Sequence, residues 1–169
     1  MLQEFALWAE VLGGIAVIGG IIFGIVQLRL FRRQRADQAA VEVMRSMLSE
    51  HFPSAYRLLN QLPDGVSVAE VQERGSEYEN AIFAIGTVFE TLGYMVFKRV
   101  IPLMVVRELV GGVAIAMWRK AGPYAVEISE GQGQPRLLEW YEWLVKQLED
   151  LEGKISTKRA IVRFADWKS

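Results

Sequence analysis

The stretch FALWAEVLGGIAVIGGIIFGIVQL, Phe5 to Leu28, contains a single charge, Glu10, and is followed at once by Arg29, Arg32, Arg33 and Arg35. At ~1.5 Å per helical residue the run is roughly 36 Å long, enough to cross a hydrocarbon core of about 30 Å with some tilt. It reads as a transmembrane helix over 1–28 with a basic juxtamembrane junction over 29–35. A cleaved signal peptide would carry its basic residues before the apolar stretch and a small-residue cleavage site after it. Here Glu4 and Glu10 precede the run and the arginines follow it. A helix buried in a soluble core would normally keep a polar face, which this run lacks.

Charge order sets the expected orientation. Arginines after the span keep that side in the cytoplasm, so the N-terminus is expected outside a bacterial inner (cytoplasmic) membrane and the remainder inside. Arg29, Arg32, Arg33 and Arg35 then lie against anionic headgroups, each worth about 1 kcal/mol near the surface. Trp8 suits the outer interface. With ~100° per residue, Ala6, Ala9, Gly13, Ala16, Gly20, Gly24 and Gln27 form one stripe about 80° wide. Small residues let helix backbones approach closely, and Gly20 to Gly24 is a GxxxG step, so Ala9, Gly13, Ala16, Gly20 and Gly24 are expected to form a helix–helix assembly face. Glu10 lies near the stripe, about 8 Å inside the outer boundary. It is read as an interfacial carboxylate or, in an oligomer, as a pore-mouth ring.

Of the 169 residues, 51% hydrophobic, enough remain for one helical cytosolic domain over 36–152 and a basic C-terminal tail over 153–169. There is no cysteine, which excludes disulfides, thiolate metal sites and cysteine nucleophiles. Residues 36–152 carry ten basic against seventeen acidic residues, whereas the tail holds five basic residues and one Asp. Phe164 and Trp167 among these basic residues suit a membrane surface or an unstructured arm. The acidic domain argues against nucleic acid as a partner.

The domain reads as all-α. The first helix is expected to continue to Phe52-Pro53 with Ala36, Ala40, Val43, Met44, Met47 and Leu48 inward. A short helix then ends at Leu62-Pro63-Asp64-Gly65. Ser67 and Glu70 form a capping-box signature for one long helix with Val71, Gly75, Tyr78, Ile82, Ile85, Phe89, Leu92 and Val96 on its inner face. Ile101-Pro102 ends it. A helix of about twenty residues follows, burying Leu103, Val106, Val110, Val113 and Met117 and ending near Gly122-Pro123. After the GQGQP loop, a helix from about Pro135 to Glu152 turns Leu137, Tyr141, Leu144, Leu148 and Leu151 inward. Residues 81–97 and 100–118 are apolar enough to suggest further spans or a membrane-buried hairpin. Glu90 and Arg107-Glu108 favour buried bundle helices instead.

Glu90-Thr91-Leu92-Gly93-Tyr94, Ile101-Pro102-Leu103, Val106-Arg107-Glu108-Leu109, Trp118, Pro123, Gln134-Pro135-Arg136 and Glu142-Trp143-Leu144 together resemble the bacterial domain of unknown function family 4760. The likeness extends over most of Phe5 to Glu152. It implies an N-terminal membrane helix, an arginine-rich junction and a helical cytosolic domain, and it brings no activity with it.

Catalytic patterns are thin. His51 is the sole histidine, and there is no GxSxG elbow, HExxH pair or ExxH set. Gly131 and Gly133 lack the preceding strand and following GK[ST] of a phosphate loop. Glu90 and Arg107 interrupt apolar helices and are expected to pair across the Pro102 break. Trp118 and Tyr141 are read as core, and Trp140 and Trp143 as a partner surface. The expectation is a membrane-anchored, self-associating interaction module without catalysis or cofactor, binding membrane lipid and a further protein partner. A homo-oligomeric pore is the alternative, and a small enzyme ranks last.

Overall fold

The computed structural model describes the backbone of residues 2–47, 51–155 and 159–168; the side chains of residues 2–12, 15, 32–33, 35–37 and 46 lie outside that description. All regular structure among the described residues is helical. The chain divides into two units, Met1–Gln38 and Ala39–Ser169.

The first unit belongs to α1 (Leu2–Met47). Its β-branched and aromatic residues meet little inside the unit: Val17 is 63% exposed, Phe23 65% and Leu28 63%, with Ile18, Ile21, Ile22, Ile25 and Val26 also exposed. At ~100° per residue these positions cover about 240° of the helix and leave free the arc that holds the small-residue stripe. Among the described residues the apolar stretch of α1 runs from Ala16 to Phe31, and the helix that is long and apolar enough on those grounds to cross a membrane is Ser76–Phe97.

The second unit is a bundle around that helix, α4 (Ser76–Phe97), against which α2 (Phe52–Asn60), α3 (Val68–Arg74), α6 (Gly112–Gly131) and α7 (Glu139–Glu152) pack. Ile82, Ile85, Phe89, Leu92 and Val96 are buried, as their spacing predicts, and Phe89 stacks on Tyr141 with ring centroids 4.8 Å apart. Apolar length in α4 therefore serves a core.

Where α1 enters the bundle it buries Ala39 and Val43 while Met44 stays exposed, so the inner face follows a spacing of four from Ala39. Ala36 and Leu48, expected on that face, lie outside the described side chains. The capping box forms as the sequence predicts: Ser67 N–H donates to Glu70 Oε2 (2.9 Å) and Glu70 N–H to Ser67 Oγ (3.4 Å). The single long helix expected after it is divided, because Gly75 takes φ +113°, a backbone state open to glycine and strained for other residues.

The expected end of the next helix at Gly122-Pro123 is corrected too. α6 runs through Pro123 to Gly131. Proline removes the N–H that would bond to the Arg119 carbonyl. That carbonyl accepts from Gly65 N–H (2.8 Å) instead, and the Lys120 carbonyl from Val66 N–H (3.2 Å). Lys120 Nζ meanwhile donates to the Leu62 carbonyl (2.6 Å) and pairs with Asp64 (3.3 Å). The α2–α3 turn thus takes up the carbonyl that the proline leaves unpaired, and the helix continues.

Between Pro102 and α6 lie α5 (Leu103–Val106) and a π-helical turn, Arg107–Gly111. The wider turn carries the buried stripe from Val110 to Ala114, leaving the expected Val113 half-buried. A last short helix, α8 (Ala160–Arg163), lies in the basic tail.

Candidate interaction sites

The assembly stripe is open wherever it is described. A methyl group added at Gly13, Gly20 or Gly24 would meet nothing within 4 Å. Gly13, Ala16 and Gly20 are exposed, and Gly24 is half-exposed among the larger side chains around it. The side chains of Ala9, Glu10, Arg32, Arg33 and Arg35 lie outside the described residues; Arg29 is exposed.

Glu90 and Arg107 do not form the expected pair. Glu90 Oε2 accepts from Tyr141 N–H at 2.8 Å. The reason lies in the start of α7, where the N-cap residue Leu138 sits at φ +56° and offers no capping side chain. A helix N-terminus needs acceptors for its free N–H groups and favours negative charge. Glu90 provides both from the neighbouring helix. Burial holds its carboxyl above the usual carboxylate range, opposed by the backbone N–H groups of Tyr141 and Trp140. This approach requires Gly93, whose added Cβ would lie 2.1 Å from the Trp140 carbonyl oxygen.

Arg107, its side chain 6% exposed, instead joins the π-helical turn to the end of α7: Nε binds Glu152 at 2.9 Å and Nη1 binds Glu108 at 2.8 Å. Glu108 Oε2 also pairs with Arg163 Nη2. Hydrogen bonding from Arg163 pulls the Glu108 carboxyl below its usual range, with the charges of Arg163 and Arg107 adding to the effect. An alternating chain of charges thereby fixes the tail to the bundle.

Trp140 and Trp143 are half-buried. They belong to a ring cluster in which Phe97 lies 4.6 Å from Trp140 and 5.9 Å from Trp143, and Tyr94 lies 5.6 Å from Trp140. Phe97 and Tyr94 keep about half their surface exposed, at 50% and 47%. Sequence reading found the two tryptophans and missed the α4 half of the cluster, whose residues looked like the apolar end of a core helix. Tyr141 is buried and donates its hydroxyl to the Ala114 carbonyl (2.8 Å), while Trp118 packs edge-on against it at 4.8 Å.

A cavity of about 560 Å³ is lined by Trp118, Val126, Leu137, Glu130, Glu139 and Glu142, among others. Among the described residues no group of three or more acidic or histidine side chains could hold a metal ion. His51 is exposed and serves α2 through its carbonyl, which accepts from Ser54 Oγ (2.9 Å) and Ala55 N–H (3.0 Å).

A family model described as a domain of unknown function, DUF4760, matches residues 14–148, and the chain belongs to that family. No curated protein and no solved structure matches the chain.

Proposed function

We propose that this member of the family is a membrane-anchored helical interaction module. The first unit crosses the bacterial cytoplasmic membrane with its N-terminus outside and self-associates through Gly13, Ala16, Gly20 and Gly24, while the acidic bundle is presented to cytoplasmic partners. The reading assigns no catalysis and no cofactor.

The observation that carries it is the exposure of bulky apolar side chains between Val17 and Leu28 over about two-thirds of the circumference of α1, the remaining arc being the small-residue stripe. A water-facing helix keeps a polar face, and a contiguous apolar surface of this kind calls for lipid or another helix. The open glycine positions support the assembly step, because close backbone approach takes over the role that hydrophobic force plays in water. The pore alternative turns on Glu10, whose side chain lies outside the described residues.

Absence of cysteine makes the test direct. Single cysteines at Gly20, Gly24 and Ile22 are introduced into the full chain, and membranes are oxidised. G20C and G24C are expected to yield dimers that survive alkaline carbonate extraction, with I22C, about 200° away on the helix, yielding few. Extraction into the soluble fraction would refute the anchor, and equal cross-linking at all three positions would refute the stripe.

A further inference from the structure

Among the exposed apolar residues of the second unit, Tyr94, Phe97 and Val100 lie together around the end of α4 with the basic residues Lys98 and Arg99. Gly86 approaches Leu138, Gly93 approaches Trp140 and Phe97 meets Trp143, so α4 and α7 run in the same direction. The α4–α5 turn therefore lies beside the first turns of α7, which continues from there to Glu152. The Arg107–Glu152 and Arg163–Glu108 pairs hold the basic tail against the π-helical turn and the last turn of α7.

Residues 97–100 read Phe-Lys-Arg-Val. Val100 is 61% exposed and Phe97 half-exposed, with Lys98 and Arg99 between them. The turn is fixed in place: Lys98, Arg99 and Val100 donate their N–H groups to the carbonyls of Tyr94, Val96 and Met95, and Arg99 takes φ +57°. Lys98 Nζ lies 5.9 Å from the Tyr94 ring centre. In the tail, Ile161, Phe164 and Trp167 are exposed beside Arg159 and Lys168. Glu108 and Glu152 are already neutralised by arginine and Glu142 by Lys146. Glu90 and Glu139 lie beside Trp140, and Glu149, Asp150 and Asp166 lie toward the tail with Lys154, Arg159 and Lys168, so that the turn itself carries the two positive charges of Lys98 and Arg99.

Aromatic rings with a polar edge, exposed aliphatic tips and flanking Lys and Arg are the chemistry of a bilayer interface. We propose that this end of the bundle docks on an anionic lipid surface, with Phe97 and Val100 entering the headgroup boundary, Lys98 and Arg99 binding lipid phosphates, and Tyr94, Trp140 and Trp143 forming the interfacial layer behind them. Charge complementarity selects this occupant. A second copy meeting the same surface about a two-fold axis would bring Lys98 and Arg99 against their own kind, and nucleic acid gains little from the exposed Phe97 and Val100. The proposal rests on the anchor reading only for the nearness of the bilayer. It adds that the bundle itself lies on the membrane.

The test uses the full chain, which has no cysteine to remove. V100C, I18C and, at the opposite end of the bundle, Q132C are each labelled with a nitroxide in vesicles of phosphatidylcholine with or without phosphatidylglycerol. Collision with oxygen and with a soluble nickel chelate reports depth. With phosphatidylglycerol, the label at Val100 is expected to lose access to nickel and gain access to oxygen, while the label at Gln132 stays open to nickel. Each basic residue near such a surface changes partition roughly fivefold. K98E/R99E should thus lower the docked fraction by more than about tenfold, and high salt should weaken docking. A Val100 label as open as that at Gln132, or unaffected by phosphatidylglycerol, overturns the proposal, as does spin–spin broadening at Val100 that marks a contact between copies. An Ile18 label outside the bilayer overturns the anchor reading instead, and the Val100 result stands apart from it.

Discussion

Gly93→Ala tests the packing that positions both Glu90 and the aromatic cluster. The new methyl group would lie 2.1 Å from the Trp140 carbonyl oxygen and 2.7 Å from its carbonyl carbon, where ordinary contact begins near 3.4 Å. Both atoms are backbone, so no rotamer change relieves the clash and α7 must move by about 1.3 Å, the difference between 3.4 and 2.1 Å. That movement strains the 2.8 Å bond from Tyr141 N–H to Glu90 and opens the stack of Phe89 on Tyr141. Overpacking costs about 1–3 kcal/mol and a weakened hydrogen bond to a charged group about 1.5–3, against a gain of about 1 kcal/mol from replacing helical glycine by alanine. The net is a loss of about 1.5–5 kcal/mol, a fall on the order of 10 °C in Tm for a domain of this size. Gly112→Ala is the control, since a methyl group there meets nothing within 4 Å in a helical backbone. It should raise stability by roughly 0.5–1 kcal/mol. Thermal unfolding in a mild detergent, followed by near-ultraviolet circular dichroism, separates the two. A Gly93→Ala protein as stable as the parent would refute the close approach of α4 and α7.

Arg107→Ala leaves Glu152 and Glu108 without their shared cation beside a buried site; with both partners partly exposed, the expected loss is about 2 kcal/mol in urea unfolding, and greater protease sensitivity of the tail should accompany it. Glu90 has its carboxyl raised by burial, so its ionisation weakens folding as pH rises from 4.5 through the folded value. Glu90→Gln keeps an oxygen acceptor for Tyr141 and should flatten the fall in Tm over that window; an unchanged pH profile would contradict the assignment. Glu108 has the opposite sign. Its lowered carboxyl stabilises the fold above pH 4.5, and that contribution is lost as pH falls through the folded value, so Glu108→Gln should lower Tm at pH 7 and leave it nearly unchanged at the acid end. Arg99→Gly relieves a left-handed backbone state and should raise Tm by a few degrees, on the order of 1 kcal/mol, while weakening binding to anionic vesicles.

The periodic features were legible in the sequence. The capping box at Ser67 and Glu70 is local chemistry three residues apart, and the inner face of α4 from Ile82 to Val96 repeats at three and four. What escaped was set by distant partners. Pro123 reads as a helix end until Gly65 and Val66 are seen to bond at its side of α6. Glu90 reads as half of an ion pair because its charge is visible in the sequence, whereas the uncapped start of α7 is visible only once Leu138 is found in a left-handed conformation. The π-helical turn carries no residue pattern of its own, yet it moves the buried stripe from Val113 to Ala114. Gly93, which sets how closely α4 and α7 approach, looks in sequence like any other glycine in an apolar helix. For the interaction surfaces, composition identified Trp140 and Trp143, and only the packing joined them to Tyr94, Phe97 and the Lys98-Arg99 turn.

The central claim, assembly through the small-residue face of α1, is tested most directly by the mass of the full-length protein in detergent and in lipid nanodiscs, beside a Gly20→Leu, Gly24→Leu variant. Leucine fills the open space at both positions and keeps the helix apolar, so insertion should persist while close helix approach is blocked. The account predicts a defined oligomer for the parent and a monomer for the variant, with the bundle folded in both. A parent that is monomeric in detergent and nanodiscs alike, or an oligomer that the variant leaves intact, would contradict it.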